Sequence, residues 1–246
     1  MSTVTTSERA AKTVRELAVE VPGATRVFEK LGIDYCCGGM RKLDDACAAA
    51  SINLEQAIDA LEMAEIAARA ARKDKDWSAE PLSDLIAHIK NTHHQYTRGE
   101  IARLGPLAEK VLGVHGKNHP ELREIRAIFA DLAQELTMHL MKEEMMLFPY
   151  IERLEEVALE KSPVLPPPFG TVRNPVAMMM REHDDAGNGL RELRRVTGNY
   201  TAPADACVSF RTLYKVLSEL EADLHQHIHL ENNILFPRAI ELEQAR

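Results

Sequence analysis

Aromatic side chains are scarce in this chain, at 5% of 246 residues. That scarcity argues against a β-sandwich and fits helices rich in Ala, Leu, Glu and Met. Basic charge is not in excess either: 30 Lys and Arg stand against 38 Asp and Glu, a net charge of −8. No tract of Lys and Arg is long enough to form a nucleic-acid patch, so no nucleic-acid partner is expected. No apolar run approaches the roughly 20 residues of a membrane span. The first twenty residues lack the apolar core and cleavage pattern of a signal peptide. A cytoplasmic protein that does not enter a membrane is expected. The four cysteines, Cys36, Cys37, Cys47 and Cys207, include no CxxC pair and no zinc-ribbon spacing. In a reducing compartment they should be thiols.

What is present is helical periodicity, and the expected fold is all-α. Residues 66–80, AARAARKDKDWSAEP, are charged and run into Pro81, so they read as a join between two domains. The expected division is a small helical domain over 1–79 and a helical bundle over 80–246. In the first part, residues 11–31 are amphipathic and broken at Val21-Pro22-Gly23. The turn-like LGIDYCCGG follows. Residues 53–66 form a helix capped by Asn53. In the second part, four long helical patterns span about 82–112, 119–159, 173–197 and 204–243. The separators GVHGKNHP, SPVLPPPFG and TGNYTAP carry Gly and Pro.

The informative feature is a repeat. HLMKEEMMLFP (139–149) and HIHLENNILFP (227–237) share one template, His, three residues, Glu, three residues, an aliphatic residue, Phe, Pro, 88 residues apart. Each copy sits on a buried seam of 3–4 spacing, running through Ile125, Phe129, Leu132 and Leu136 in one case and Leu213, Leu217, Leu220 and Leu224 in the other. His139 and Glu143 therefore lie one turn apart and point inward, as do His227 and Glu231. The third helix puts His183 on its seam. The first offers His93 or His94. Its seam Ile86, Ile89, His93, Tyr96 favours His93, and the repeat offsets leave the choice open.

Four imidazoles and two carboxylates are a ligand set for two divalent ions, with two glutamates able to bridge. Mixed nitrogen and oxygen ligation suits Fe, Mn or Zn. One core histidine or one His-x3-Glu pair would ordinarily be structural; a duplicated, seam-aligned set is not ordinary. Glu135 and Asp223, one turn before each pair, are placed to accept the second ring N–H of a ligating histidine or to relay protons, and Glu182 to do so at His183. His225, His227 and His229 would share one face of a strand, as in a zinc site, but the surrounding leucines keep a helical period. His225 and His229 are thus non-ligands. His115 and His119 read as loop residues that cap helix ends. Seven of the ten methionines fall at 138–146 and 178–180, where flexible core filling is the expected role. Cys47 and Cys207 read as core or incidental.

The two His-x3-Glu pairs with the lone histidines resemble a hemerythrin-like di-iron bundle. With DYCCGG (34–39), MKEEMMLFP (141–149), REHDDAG (181–187) and HLENNILFPRA (229–239) added, the chain resembles the iron–sulfur cluster repair di-iron proteins, the RIC family of the YtfE and ScdA type, from about residue 11 to 242. The resemblance implies an antiparallel hemerythrin-like four-helix bundle behind a small N-terminal helical domain. It implies two Fe ions per chain, in an oxo- and carboxylate-bridged centre held by His94, His139, Glu143, His183, His227 and Glu231. His94 is preferred to His93 because the family places a basic residue four positions on, here Arg98. Ala102 departs from the family's common Pro. The implied function is repair of iron–sulfur clusters damaged by nitrosative or oxidative stress, by supplying iron. Damaged cluster proteins are the partners and nitric oxide or oxygen the small ligands; binding or reduction of nitric oxide is the alternative. Cys36 and Cys37 match the family's motif and would assist transfer or docking, or form a buried turn. Glu135 and Glu182 are the candidate proton carriers. A homodimer is left open.

Overall fold

A computed structural model of the chain describes residues 6–71, 75–160 and 167–245. Among the described residues every regular element is a helix, and the one β-like feature is an isolated bridge between Thr13 and Lys42. The chain divides into two compact units. One is Met1–Pro81 with Ile228–Arg238, and the other is Leu82–His227 with Ala239–Arg246. The division passes through a single continuous run of helix.

Among the described residues up to Pro81 there are five helices: Thr6–Ala11, Val14–Glu20, Ala24–Leu31, Leu43–Ala49 and Leu54–Ala71. The first and fourth escape a periodicity reading because six or seven residues hold too few turns to display a face. Thr13 opens the second helix with a capping box, its hydroxyl accepting from the Glu16 backbone while Glu16 accepts from the Thr13 N–H. Gly23, at φ +83°, makes the break before the third. Asn53 caps the fifth by accepting from the Gln56 N–H at 3.2 Å. That helix reaches Ala71, so the expected join begins inside a helix, and its residues 72–74 lie outside the described ones. The core of this unit is Val14, Leu17, Phe28, Ile33, Tyr35, Leu43, Cys47, Ile58 and Leu61.

The segment Ile228–Arg238 belongs to this unit through side-chain hydrogen bonds. The Asn232 amide donates to the Cys36 carbonyl at 3.1 Å, and the Asn233 amide donates to the Tyr35 carbonyl at 2.9 Å. His229 stands edge-on to Tyr35 with its Nδ1 2.9 Å from the Asn233 amide. Burial, with help from the Arg15 charge, pushes its pKa down to about 4, so the ring is a neutral acceptor at neutral pH.

From Leu82 onward the chain forms a four-helix bundle, whose last helix includes the 228–238 segment. Its first helix runs through Leu82–Ile89, Lys90–His94 and Gln95–His115, and its second through Glu121–Lys142, Glu143–Leu147 and Phe148–Glu160. The third is Arg173–Val196. The fourth runs through Val208–His229, Leu230–Leu235 and Phe236–Gln244. The middle segment of the first, second and fourth helices is a π turn, in which the chain widens by about one residue. Phe148 N–H donates to Glu143 O and Phe236 N–H to Glu231 O, five residues back in both cases. A proline follows each Phe. Proline has no N–H and its ring crowds the carbonyl four residues back, so an ordinary α-turn is not available there.

Below the π turns lies a continuous apolar core: Leu104 and Val111 from the first helix, Phe129, Leu132 and Leu136 from the second, Leu190 from the third, and Phe210, Leu217 and Leu224 from the fourth. Phe129, Leu132, Leu136, Leu217 and Leu224 are seam positions expected from the 3–4 spacing. The methionines are a correction. Met138, Met141, Met145, Met146, Met178 and Met180 are all exposed, and only Met179 of that group is buried. Dense methionine placed none of these six in the core, because the seam positions were already taken by Leu, His and Glu.

An ion pair with a buried carboxylate fastens the third helix to the fourth. Glu221, 2% exposed, receives Arg194 Nε at 3.2 Å and Arg194 Nη2 at 2.6 Å. Arg194→Met would strand the carboxylate in the core. Urea unfolding should show a loss of about 3 kcal/mol, most of it restored by adding Glu221→Met. A loss under about 0.5 kcal/mol would mean that the pair behaves as a surface pair.

Candidate metal centre

The π turns bring the ligand candidates together. His94 ends the first, Glu143 opens the second, and Glu231 is the second residue of the third. His139 and His227 precede their glutamates by four residues, and His183 comes from the regular third helix. Their ligand atoms form two groups, each within 4.8 Å: His94, Glu143, His227 and Glu231, and His139, Glu143, His183 and Glu231. The two carboxylates are common to both groups, and each pair of histidines belongs to one. All six side chains are buried, Glu143 and Glu231 at 0% exposure.

Distances agree with two ions bridged by carboxylate. His94 Nε2 lies 3.5 Å from Glu143 Oε2, and His139 Nε2 lies 3.4 Å from Glu143 Oε1, so one oxygen turns toward each histidine pair. Two ligand atoms at about 2.1 Å from a shared ion stand about 3.0–3.4 Å apart. His94 Nε2 and His227 Nε2 are 3.2 Å apart, and His139 Nε2 and His183 Nε2 are 3.0 Å apart. Neither Glu143 oxygen accepts a hydrogen bond. An uncompensated buried carboxylate costs several kcal/mol, and a divalent ion is what would offset it. The residues therefore fit a di-metal group.

Carboxylates around the rim set the imidazoles. His94 Nδ1 donates to Glu144 Oε1 at 2.7 Å, and Arg98 donates to the same oxygen at 2.9 Å. His139 Nδ1 donates to Glu182 Oε2 at 2.9 Å, and Lys142 pairs with the other oxygen of Glu182. A proton held on Nδ1 leaves the Nε2 lone pair facing the centre, the form a metal requires. Burial raises the Glu144 pKa, but Arg98 and His94 outweigh it and the net shift is down. The His139 hydrogen bond, aided by Lys142, brings Glu182 to about 2. Both rim carboxylates are thus ionised.

These contacts correct three expectations. Glu182 serves His139 rather than His183. Asp223 pairs with His93, at 2.9 Å, and not with a ligand candidate. Glu135 is exposed, and the carboxylates bonded to His94 and His139 are Glu144 and Glu182 instead. Glu144 was missed. Its one signal was adjacency to Glu143, and only the widened π turn makes two successive glutamates useful.

The π turn also explains why periodicity could not separate His93 from His94. Widening the helix there buries both rings, His93 stacking on His227 at 5.6 Å and 6° while His94 enters a ligand group. His94→Ala should lower bound metal sharply, whereas His93→Ala should keep it; elemental analysis of the two variants side by side checks this. Equal losses would remove the distinction. His225 and His229 stand outside both groups. His115 ends the first bundle helix, 3.1 Å from the exposed Cys207, and His119 bonds Glu121 and Asp205, so both join helix ends through side chains. Cys47 lies in the core of the first unit. Cys36 is buried and Cys37 half-buried, and neither is in a disulfide.

No helix among the described residues is long and apolar enough to cross a membrane. Residues 85–239 match the Hemerythrin HHE cation binding domain, and residues 10–65 match ScdA_N, a domain of unknown function. A probable iron-sulfur cluster repair protein of Haemophilus influenzae is 36% identical over 234 residues, covering 94% of this chain and 97% of the relative. The iron-sulfur cluster repair protein YtfE of Musicola paradisiaca is 37% identical, covering 93% and 96%, and that of Yersinia pseudotuberculosis is 38% identical, covering 91% and 94%. With both domain matches in order and similarity along nearly all of its length, the chain belongs to the family of iron–sulfur cluster repair proteins, an ScdA_N domain followed by a Hemerythrin HHE cation binding domain.

Proposed function

We propose that this chain repairs iron–sulfur clusters damaged by nitrosative or oxidative stress, working in the cytoplasm and giving up iron from a di-iron centre. His94 and His227 would hold one ion and His139 and His183 the other, with the carboxylates of Glu143 and Glu231 available to both. The observation that carries the di-iron part is Glu143, whose two oxygens are buried, face different histidine pairs and accept no hydrogen bond. The nitrogen and oxygen donor set admits Fe, Mn or Zn, and kinship with proteins named for iron–sulfur cluster repair favours iron. When bound, such a centre supplies exchangeable iron and open coordination positions for a small molecule such as nitric oxide or oxygen.

The chain's own residues do the rest. Glu144 and Glu182 hold the Nδ1 protons of His94 and His139 and fix both rings. Arg98 and Lys142 hold those carboxylates in turn, Arg98 standing nearer solvent than Glu144. Six buried side chains would enclose bound iron, opening of these rim pairs would free the histidines to release it, and damaged cluster proteins would be the acceptors.

The test is to load the protein with iron without oxygen and mix it with a cluster enzyme inactivated by nitric oxide. Recovered activity should rise with protein added and be matched by iron lost from the bundle. Recovery that is equally good with Glu143→Ala would overturn the donor reading. Many turnovers of nitric oxide with iron retained would favour a reductase in its place.

A further inference from the structure

The Asp34–Gly39 loop forms a second cluster of ligating side chains that the di-metal centre does not use. Asp34, Cys36 and Cys37 bring one carboxylate oxygen and two sulfurs within 4.8 Å of one another. Their spacing is specific. Cys36 Sγ lies 3.8 Å from Cys37 Sγ and 3.4 Å from Asp34 Oδ1. An ion with tetrahedral bonds of about 2.3 Å to sulfur and about 2.0–2.2 Å to oxygen needs about 3.8 Å between two sulfurs and about 3.5 Å between sulfur and oxygen. Hydrogen bonds span these edges, and an ion would replace the thiol protons.

The loop is built rather than loose. Asp34 Oδ1 accepts from the N–H groups of Cys37 and Gly38, both at 2.9 Å. Asn232 and Asn233 hold the carbonyls of Cys36 and Tyr35. The Gly39 carbonyl accepts from the Arg15 N–H at 2.8 Å. A Cβ at Gly38 would stand 3.1 Å from Asp34, and one at Gly39 would stand 3.1 Å from Arg15 Cβ and 3.2 Å from the Tyr35 carbonyl, so the double glycine lets the loop close. Cysteine chemistry narrows the role. A nucleophile needs a depressed pKa. The hydrogen bond with Cys37, burial and the Asp34 charge push the Cys36 thiol well up instead. A Cys36 thiol raised in this way is a poor nucleophile, and the geometry of two thiols beside a carboxylate suits a chelate instead.

We propose that Asp34, Cys36 and Cys37 form a mononuclear site for a divalent ion of borderline softness, Fe(II) or Zn(II), with a fourth position open to an outside ligand. Binding releases the two thiol protons to solvent and forms two metal–sulfur bonds and one metal–oxygen bond. The binding itself is independent of the repair reading; use of the open position to pass iron to a client thiol rests on it.

Cobalt(II) is the probe, added without oxygen to the full-length protein with its bundle already loaded and a phosphine reductant present. One further equivalent should bind, with thiolate-to-cobalt charge-transfer absorption and the strong visible bands of a tetrahedral ion. Cys36→Ser and Cys37→Ser should each remove most of the charge-transfer absorption. Asp34→Asn keeps an acceptor for the loop N–H groups and should weaken binding about tenfold while the thiolate absorption persists. Cys207→Ser should change nothing. Absence of thiolate absorption in the wild-type protein, or its survival in the double Cys36→Ser, Cys37→Ser variant, would overturn the proposal. Glu143→Ala separates the two sites: it should keep the thiolate absorption after losing the bundle's metal. If it loses that absorption while remaining helical, the sulfur site does not exist as a separate one.

Discussion

Replacing Glu143 with alanine should empty both metal positions of the bundle, whereas His183→Ala should leave about one ion bound. The difference follows from sharing. Glu143 is in both ligand groups, with one oxygen toward His94 and the other toward His139, and His183 is in only one. Without the carboxylate each group would lose a donor, and the site would lose one negative charge that bound cations need. Elemental analysis should give well below one ion per chain for Glu143→Ala, against about two for the wild type. Far-UV circular dichroism should be nearly unchanged, because the apolar core below the site does not include Glu143. Glu231→Ala should behave the same way. One ion retained in Glu143→Ala would show that the carboxylate does not bridge.

Metal should also reverse the order of stability between the wild type and Glu143→Gln. The Glu143 carboxylate is fully buried with no hydrogen bond to either oxygen. Neutralising it removes a desolvation penalty of about 1–3 kcal/mol. The metal-free variant should therefore be more stable than the metal-free wild type, with a melting temperature higher by about 2–10 °C. With metal the order inverts. An ion present at a thousand times its dissociation constant adds about 4 kcal/mol to the state that binds it, and the variant forgoes most of that. Thermal unfolding with and without a chelator tests both halves. A metal-free Glu143→Gln protein less stable than the metal-free wild type would mean that the carboxylate is already compensated and that the buried-charge reasoning is wrong.

Much of this was legible before any coordinates. Four long apolar periodicities separated by Gly and Pro dictate four helices, because only a helix repeats every 3.6 residues and only those separators break it. The duplicated His-x3-Glu template put His139, Glu143, His227 and Glu231 on buried seams, since residues four apart share a face. His183 followed from its own seam. The DYCCGG stretch marked the turn that carries the cysteines. The short helices Thr6–Ala11 and Leu43–Ala49 were not legible, being too short for a period to show.

What remained was decided by tertiary structure, and one cause accounts for most of it. Three of the four bundle helices widen into π turns at the ligand positions. An extra residue in a turn rotates everything beyond it, so a strict 3.6 period points to the wrong neighbour. That is why both His93 and His94 are buried, why Glu144 reaches His94, and why Glu135, in register on a regular helix, stays exposed. Partners from distant segments were beyond periodicity altogether: Glu182 bonded to His139, Asp223 to His93, and the Asn232 and Asn233 amides holding the cysteine loop. The sequence by itself determined which faces are buried and which residue types face inward, because those depend on local spacing. Which carboxylate meets which imidazole was decided only by the packing of the helices, because that depends on rotations no local pattern records.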